Sequence, residues 1–238
     1  MGSEMCIRDR RGEGRPGRAR ADPRARGRAD HRERPLNRAP ENAWRVHLRA
    51  GRVGLRPLAT SDARAWNEVR RRNAEWLKPW EATVPPGDTS APRTFRALVR
   101  DLRRQARERR ALPFAVTVDD VFAGQVTVTN IVGGSARWAQ IGYWIDRRYA
   151  GQNIIPTAVA LVVDYCLLEL GLHRIEVAIR PENAASLRVV EKLGFTEIGY
   201  APGYLHIDGD WRDHRLFAVT TEDIPGGMLR RFKEQGGG

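Results

Sequence analysis

Two strand–loop–helix junctions carry the residue spacings in this chain that could do chemistry. In the first, a strand ending in Tyr143-Trp144-Ile145 runs into a short loop around Gly151, then into a helix with Pro156 in its first turn. Proline is tolerated there because its missing N–H would have had no helical acceptor. The free amides of such a turn, aligned with the helix dipole, suit a pyrophosphate. Taken alone, a glycine-containing loop of this kind fits a plain turn equally well. Gly142, inside the strand, marks either a bulge that swings the strand from its neighbour and opens a slot, or room for Tyr143 or Trp144. The second junction, Pro181 to Ser186, follows a strand and opens a helix. Asn183 is a natural N-cap, and Leu187, Val190 and Leu193 face the core. Standing alone it is a cap. In tandem, the two junctions place polar groups near one slot.

The elements that hold these junctions follow from hydrophobic periodicity. Short strands are expected at Val46–Leu48 and Val53–Leu58, then a helix capped at Ser61 or Asp62 and running to about Arg72. A second helix, about Pro92–Arg110, has Phe95, Leu98, Val99 and Leu102 on one stripe and a solvated arginine face. Strands Phe114–Val118 and Phe122–Ile131 meet at an Asp119-Asp120 hairpin turn, and Trp138–Ile145 follows. Next come helix Pro156–Leu170, strand Arg174–Ile179, helix Asn183–Leu193 and strand Phe195–Tyr200. Strand Leu216–Thr220 and a short helix begun by Glu222-Asp223 end the chain. Asp208-Gly209 reads as a hairpin turn. A strand meander followed by strand–helix alternation predicts one mixed α/β domain over residues 44–238.

Composition sets the boundaries. The formal charge of +12 invites a nucleic-acid reading, yet only Lys78, Lys192 and Lys233 are lysines among the 41 basic residues. Such arginine dominance is the mark of a GC-rich coding sequence, so nucleic acid is not expected as the main ligand. Residues 1–43, rich in Arg, Gly, Pro and Ala, bury too little apolar area to offset their ordering entropy, so disorder is expected. They read as a dispensable extension or a non-native start, or else as a basic arm that touches RNA. No apolar run is long enough to span a membrane, and no secretory signal is visible. Cys6 and Cys166 make no disulfide framework, which points to a reducing cytoplasm.

The block Ile141–Phe195 is the diagnostic one, above all Pro181-Glu182-Asn183-x-x-Ser186 and Glu191-Lys192-Leu193-Gly194-Phe195. With the companion run Tyr204–His214 (YLHIDGDWRDH), it resembles the GNAT superfamily of N-acetyltransferases. Within that superfamily the similarity is to the ribosomal-protein-alanine (RimJ/RimL-like) branch, and it covers about residues 44–232. The resemblance implies a mostly antiparallel twisted sheet with a splayed strand pair, flanked by helices. It implies acetyl-CoA as co-substrate and no metal. The pantetheine would pair with Tyr143, Trp144 and Ile145. The loop Ala150, Gly151, Gln152, Asn153, Ile154, Ile155, Pro156 and Thr157 would hold the pyrophosphate. Asn183 and Ser186 would reach the pantetheine and thioester. The chain departs from the family's glycine-rich loop at Ala150, Asn153 and Ile155. Asparagine visits left-handed backbone readily, whereas Ile155 would crowd the approach, so weaker acetyl-CoA binding is expected.

The implied reaction is direct attack of an amine on the thioester, which needs a base, an oxyanion donor and a proton for the thiolate. A backbone N–H near the expected bulge would serve the oxyanion. Related enzymes often carry a tyrosine acid where Val190 stands here, which leaves Ser186 as the candidate, with helix capping as its alternative role. A glutamate base is common where Gln140 stands. Glu176, Asp213 and His214 are therefore the candidates. An N-terminal amine, with a pKa of about 8, needs little help from a base, and a site that mainly orients its reactants suits it. Trp80, Glu81, Tyr204 and Trp211 would wall the acceptor pocket, with Glu81 or Asp213 attracting the amine. The acceptor would be a protein N-terminus or a small amine, taken by a monomer or homodimer.

Overall fold

A computed structural model describes residues 43–87 and 94–237. The expected leader, residues 1–43, lies outside them except for Ala43, as does the start of the second helix at Pro92. Eight strands form one sheet: β1 (Leu48–Ala50), β2 (Val53–Pro57), β3 (Leu112–Val118), β4 (Val121–Val132), β5 (Trp138–Ile145), β6 (Arg174–Ile179), β7 (Thr196–Ile207) and β8 (Asp210–Thr220). Their spatial order is β1-β2-β3-β4-β5-β6-β8-β7, and β5–β6 is the parallel pair in an otherwise antiparallel sheet. The helices among the described residues are α1 (Ala63–Arg72), α2 (Ala74–Leu77), α3 (Phe95–Arg107), α4 (Ile154–Asp164), α5 (Ala184–Lys192) and α6 (Met228–Glu234). The expected mixed α/β sheet with flanking helices is the fold observed.

Alternation along each strand divides the core in two. One face of the sheet meets α4, α5 and α6 in the main cluster, which takes in Phe114, Val116, Val126, Ile141, Ile175, Val177 and Ile179. Helix α4 enters it nearly whole, with nine residues from Ile154 to Val163 buried. At roughly 1.5–3 kcal/mol per fully buried Val, Leu or Ile side chain, this helix is a main anchor of the sheet. The other face packs a smaller cluster under α1 and α3, where Val69, Val99, Leu102, Ala115 and Phe122 meet Trp66 and Trp144.

Several boundaries differ from the sequence expectation for local reasons. Ser61 and Asp62 do not cap α1 by side chain. Instead the Asp62 carboxylate accepts the Ala59 amide at 2.8 Å and pairs with Arg56 at 2.6 Å. Strands β7 and β8 are much longer than expected because Asp208 and Gly209, with φ of 50° and 82°, fold the polar run between them into a tight hairpin. Glu222 and Asp223 start no helix. The Asp223 carboxylate accepts the Thr220 amide and hydroxyl, and α6 begins later, where Asp164 accepts the Met228 and Leu229 amides.

Candidate active site

Strands β5 and β6 share three rungs, Trp138–Arg174, Ala139–Ile175 and Gln140–Glu176. Beyond them β5 continues to Ile145 paired with β4, and β6 continues to Ile179 paired with β8. The facing edges of Ile141–Ile145 and Val177–Ile179 therefore lack each other as ladder partners, which opens a slot. Tyr143, Trp144 and Ile145 lie on its free edge. Gly142 is not bulged, contrary to one expectation: it stands in regular register with Thr127. Nor does it make room for Trp144, since a Cβ there would meet nothing beyond its chain neighbours within 4 Å. The irregularity lies instead in β4, between Thr129 and Val132, where Asn130 has φ 52°. On the outer side of β5 the approach is tight. A Cβ on Gly124 would stand 2.3 Å from the Trp144 carbonyl oxygen, so only glycine lets β4 come that close.

The loop at the end of β5 is held by a buried carboxylate. Asp146 accepts from Arg72 at 2.6 and 3.1 Å, from Asn73 Nδ2 at 3.0 Å, and from the Arg148 amide and guanidinium. Burial would raise its pKa, but these donors outweigh burial and hold it at about 2. Asn73 Oδ1 then accepts the Arg147 amide at 3.0 Å. Farther along, Gly151 has φ 77° and Asn153 φ 57°, and among the described residues the amides of Gly151, Asn153, Ile154 and Ile155 meet no protein acceptor. Asn153 Oδ1 accepts from Lys192 Nζ at 2.8 Å, which ties the loop to the end of α5. Gln152 turns back to the Arg148 carbonyl, and Thr157 hydroxyl donates to the Asn153 carbonyl. Ala150 is exposed. The side chains of Ile154, Ile155 and Pro156 are buried under the loop, so Ile155 packs into the core and does not crowd the amides as expected.

At the second junction Asn183 is the N-cap of α5, its Oδ1 accepting the Ser186 amide at 3.0 Å. The Ser186 hydroxyl approaches that of Tyr143. Burial pushes the Tyr143 phenol up to about 12, and Ser186 opposes that rise without reaching hydrogen-bond geometry.

On the opposite face, alternation places Gln140, Glu176, Arg180 and His214 together. Gln140 accepts from Asn130 at 2.9 Å and donates to Tyr204 Oη at 3.0 Å. Glu176, at the last shared rung, is paired with Arg174 at 2.7 Å. The buried His214 shares a 3.0 Å hydrogen bond between Nδ1 and the Arg212 carbonyl, and its ring lies edge-on to Tyr204 at 5.6 Å. Desolvation, with Arg180 nearby, lowers its pKa, so it is neutral near pH 7. Asp213 points to the other side of β8, where it binds Tyr200 Oη at 2.5 Å and the Gly203 amide at 2.8 Å. The four candidate catalytic residues thus do not form one cluster: Glu176 and His214 share one face of the sheet, and Ser186 lies on the other.

The two segments expected to wall the acceptor pocket are joined. Ala82 bridges Ile207, and Thr83 Oγ1 meets both His206 Nδ1 at 2.8 Å and the Gly209 amide at 3.0 Å. Arg180 clamps the first segment from β6, donating to the Pro79 carbonyl at 2.5 Å with its guanidinium over Trp80 at 5.4 Å. Glu81 pairs with Arg70, so its charge is already matched. Trp211 packs edge-on against His206 and is 57% exposed, and it makes no stacking contact with Trp80. Sequence reasoning missed Asp146 and Arg180. The acid directly after a strand was a turn-cap signal for Asp146; nothing local marked the reach of Arg180 to Pro79 and Trp80, a hundred residues earlier.

Residues 52–196 match the acetyltransferase (GNAT) domain family. The chain is 31% identical over 178 residues to the probable N-acetyltransferase YjcK of Bacillus subtilis (strain 168), covering 74% of this chain and 98% of that one. It is also 31% identical over 186 residues to the [ribosomal protein uS5]-alanine N-acetyltransferase of Escherichia coli (strain K12), covering 76% and 94%. Among solved structures, Mycobacterium smegmatis RimJ in complex with CoA-disulfide superposes with a TM-score of 0.76 at 36% identity, covering 82% of this chain and 96% of that one. A sheet that parts between β5 and β6, above a loop of acceptor-free amides, thus has relatives of near-equal extent, and the chain belongs to the GNAT family as an N-acetyltransferase.

Proposed function

We propose that this enzyme transfers the acetyl group of acetyl-CoA to the N-terminal α-amine of a ribosomal protein in the cytoplasm. The observation that carries the reading is the parting of β5 from β6 at Gln140–Glu176, with unpaired strand edges on one side and acceptor-free amides at its end. The Gly151 and Asn153–Ile155 amides, at the positive end of α4, fit a pyrophosphate. The edge of Tyr143, Trp144 and Ile145 fits an amide-bearing pantetheine arm. Asn183 and Ser186 stand at the thioester end.

The acceptor enters from the face of Gln140, Glu176 and His214, between the Trp80 segment and the β7–β8 hairpin. His214 is held neutral, and with Nδ1 hydrogen-bonded to the Arg212 carbonyl its Nε2 is the free acceptor. That suits it to take the proton of an α-amine, which at a pKa of about 8 is partly neutral already. Glu176 is engaged by Arg174 and serves better to set the rung beside Gln140. Ser186, on the far side of the slot, is placed to protonate the departing thiolate. Base and acid thus flank the reacting carbon from opposite faces, and the amine attacks without a covalent enzyme intermediate. The likeness to enzymes named for ribosomal-protein alanine and to a CoA-bound neighbour supports the acceptor class.

The test is mass spectrometry after incubation with acetyl-CoA and a panel of ribosomal N-terminal peptides, aminoglycosides and polyamines. Acetylated peptides are expected. Acetylated small amines alone would replace the acceptor class, and no product from folded protein would make this a silent acyl-CoA-binding module.

A further inference from the structure

The Tyr143 hydroxyl is buried and has no hydrogen-bond partner. Buried hydroxyls are costly to leave unpaired, and an exception calls for a cause. Tyr143 stands beyond the last rung that β5 shares with β6, and its ring packs on the α4–α5 side against the main core. The polar group that approaches it is the hydroxyl of Ser186, in the first turn of α5. Asn183 already holds the Ser186 backbone, so the first turn is fixed and only the serine hydroxyl is left to rotate. Val190, one turn along α5, is buried among aliphatic side chains, so that helix offers the slot no phenol of its own.

We propose that Tyr143 is the positioning residue for Ser186: in the reacting complex Tyr143 Oη–H donates to Ser186 Oγ, which turns the serine O–H toward the sulfur in the slot. The inference rests on the function proposed above. As the amine nitrogen bonds to the acetyl carbon, the carbon–sulfur bond breaks and its electron pair passes to sulfur. Ser186 gives its hydroxyl proton to sulfur and regains, through solvent, the proton that the nitrogen loses. Tyr143 keeps its proton throughout. Burial raises the phenol to about 12, so near neutral pH Tyr143 retains an O–H to donate to Ser186.

The test compares wild type, Tyr143→Phe, Ser186→Ala and the double variant. The first readout needs no acceptor: the pKa of the thiol of bound CoA, followed by thiolate ultraviolet absorbance. Tyr143→Phe is expected to bind CoA within about twofold of wild type, to raise the bound thiol pKa, and to lower kcat about tenfold with the acetyl-CoA KM nearly unchanged. Added to Ser186→Ala, it should cost nothing further. Because the lost hydroxyl has no partner, the Phe variant should melt no lower than wild type. An unchanged thiol titration, additive losses or a lowered Tm would overturn the inference alone. Failure of the wild type to bind CoA would overturn the proposed function as well.

Discussion

The two sides of the slot are built on different principles. The side proposed for the coenzyme is backbone: a diverging strand edge and a row of amides, held in place by side chains. Asp146, buried under Arg72, Asn73 and Arg148, fixes where the loop begins, and Lys192 on Asn153 fixes where it ends. The side proposed for the acceptor is side chains on a hairpin and a strap, held by Arg180, Thr83 and the Gln140–Tyr204 bond. A backbone site keeps its function while its side chains vary, which is what the proposed function requires of Ala150 and Asn153 in this loop. A side-chain site changes specificity with each substitution. Damage to the first should therefore cost stability and coenzyme affinity together, and damage to the second should cost acceptor recognition alone.

The sharpest way to break this contrast is Asp146→Ala. Removing the shared acceptor leaves a part-buried Arg72 with Glu68 alone as its carboxylate partner, and a loss of about 2–4 kcal/mol is expected in urea denaturation. The acetyl-CoA KM should rise at least tenfold in whatever protein remains folded. The same carboxylate gives a pH signature. Its folded pKa of about 2 lies below the unfolded value of about 3.9. Its stabilisation is therefore complete above about pH 4 and is lost as pH falls toward 2. Asp146→Asn should remove that part of the acid-unfolding slope.

Gly124→Ala tests the strand edge itself. The new methyl group would press on the Trp144 carbonyl at 2.3 Å, and β5 must move into the slot. A loss of about 1–3 kcal/mol is expected, with coenzyme affinity lowered several-fold by calorimetry and acceptor KM less affected.

Arg180→Ala probes the other side. It frees the Pro79 carbonyl and the Trp80 ring from β6. Steady-state kinetics should show acceptor KM raised about tenfold, which corresponds to one charge-assisted hydrogen bond, while acetyl-CoA affinity stays within about twofold. Equal damage to both constants would erase the distinction between the two sides.

The smallest effect expected is that of Asn153→Gly. Asn153 already holds the left-handed conformation with φ 57°, so glycine relieves little strain while losing the Lys192 contact. Acetyl-CoA affinity should change by less than about threefold. A much larger gain would mean that the asparagine impairs the loop, against the expectation that it takes the left-handed backbone as readily as the loop needs.

Local signals were legible and distant ones were not. Strands Trp138–Ile145 and Arg174–Ile179 could be read to the residue because their apolar alternation is uninterrupted. The Asn183 cap and the Asp208-Gly209 turn followed from residue chemistry two or three positions wide. The hairpin of β7 and β8 was read too short, because its polar stretch is strand only through pairing across that turn. Gly142 was misread as a bulge or as room for Trp144; the opening comes from where β5 stops pairing with β6, a property of two strands that neither sequence shows. Asp146 and Arg180 act through Arg72, Asn73 and Pro79, far away in the chain, and Tyr143 comes near Ser186 only in the folded chain.

The central claim is that the coenzyme lies on the free edge of β5 and the amides at the start of α4. Hydrogen–deuterium exchange with and without CoA tests it most directly. The account predicts slowed exchange at Gly151, Asn153–Ile155 and Tyr143–Ile145, with α3 unchanged. CoA binding that leaves those amides unprotected, or that protects the arginine face of α3 instead, would contradict it.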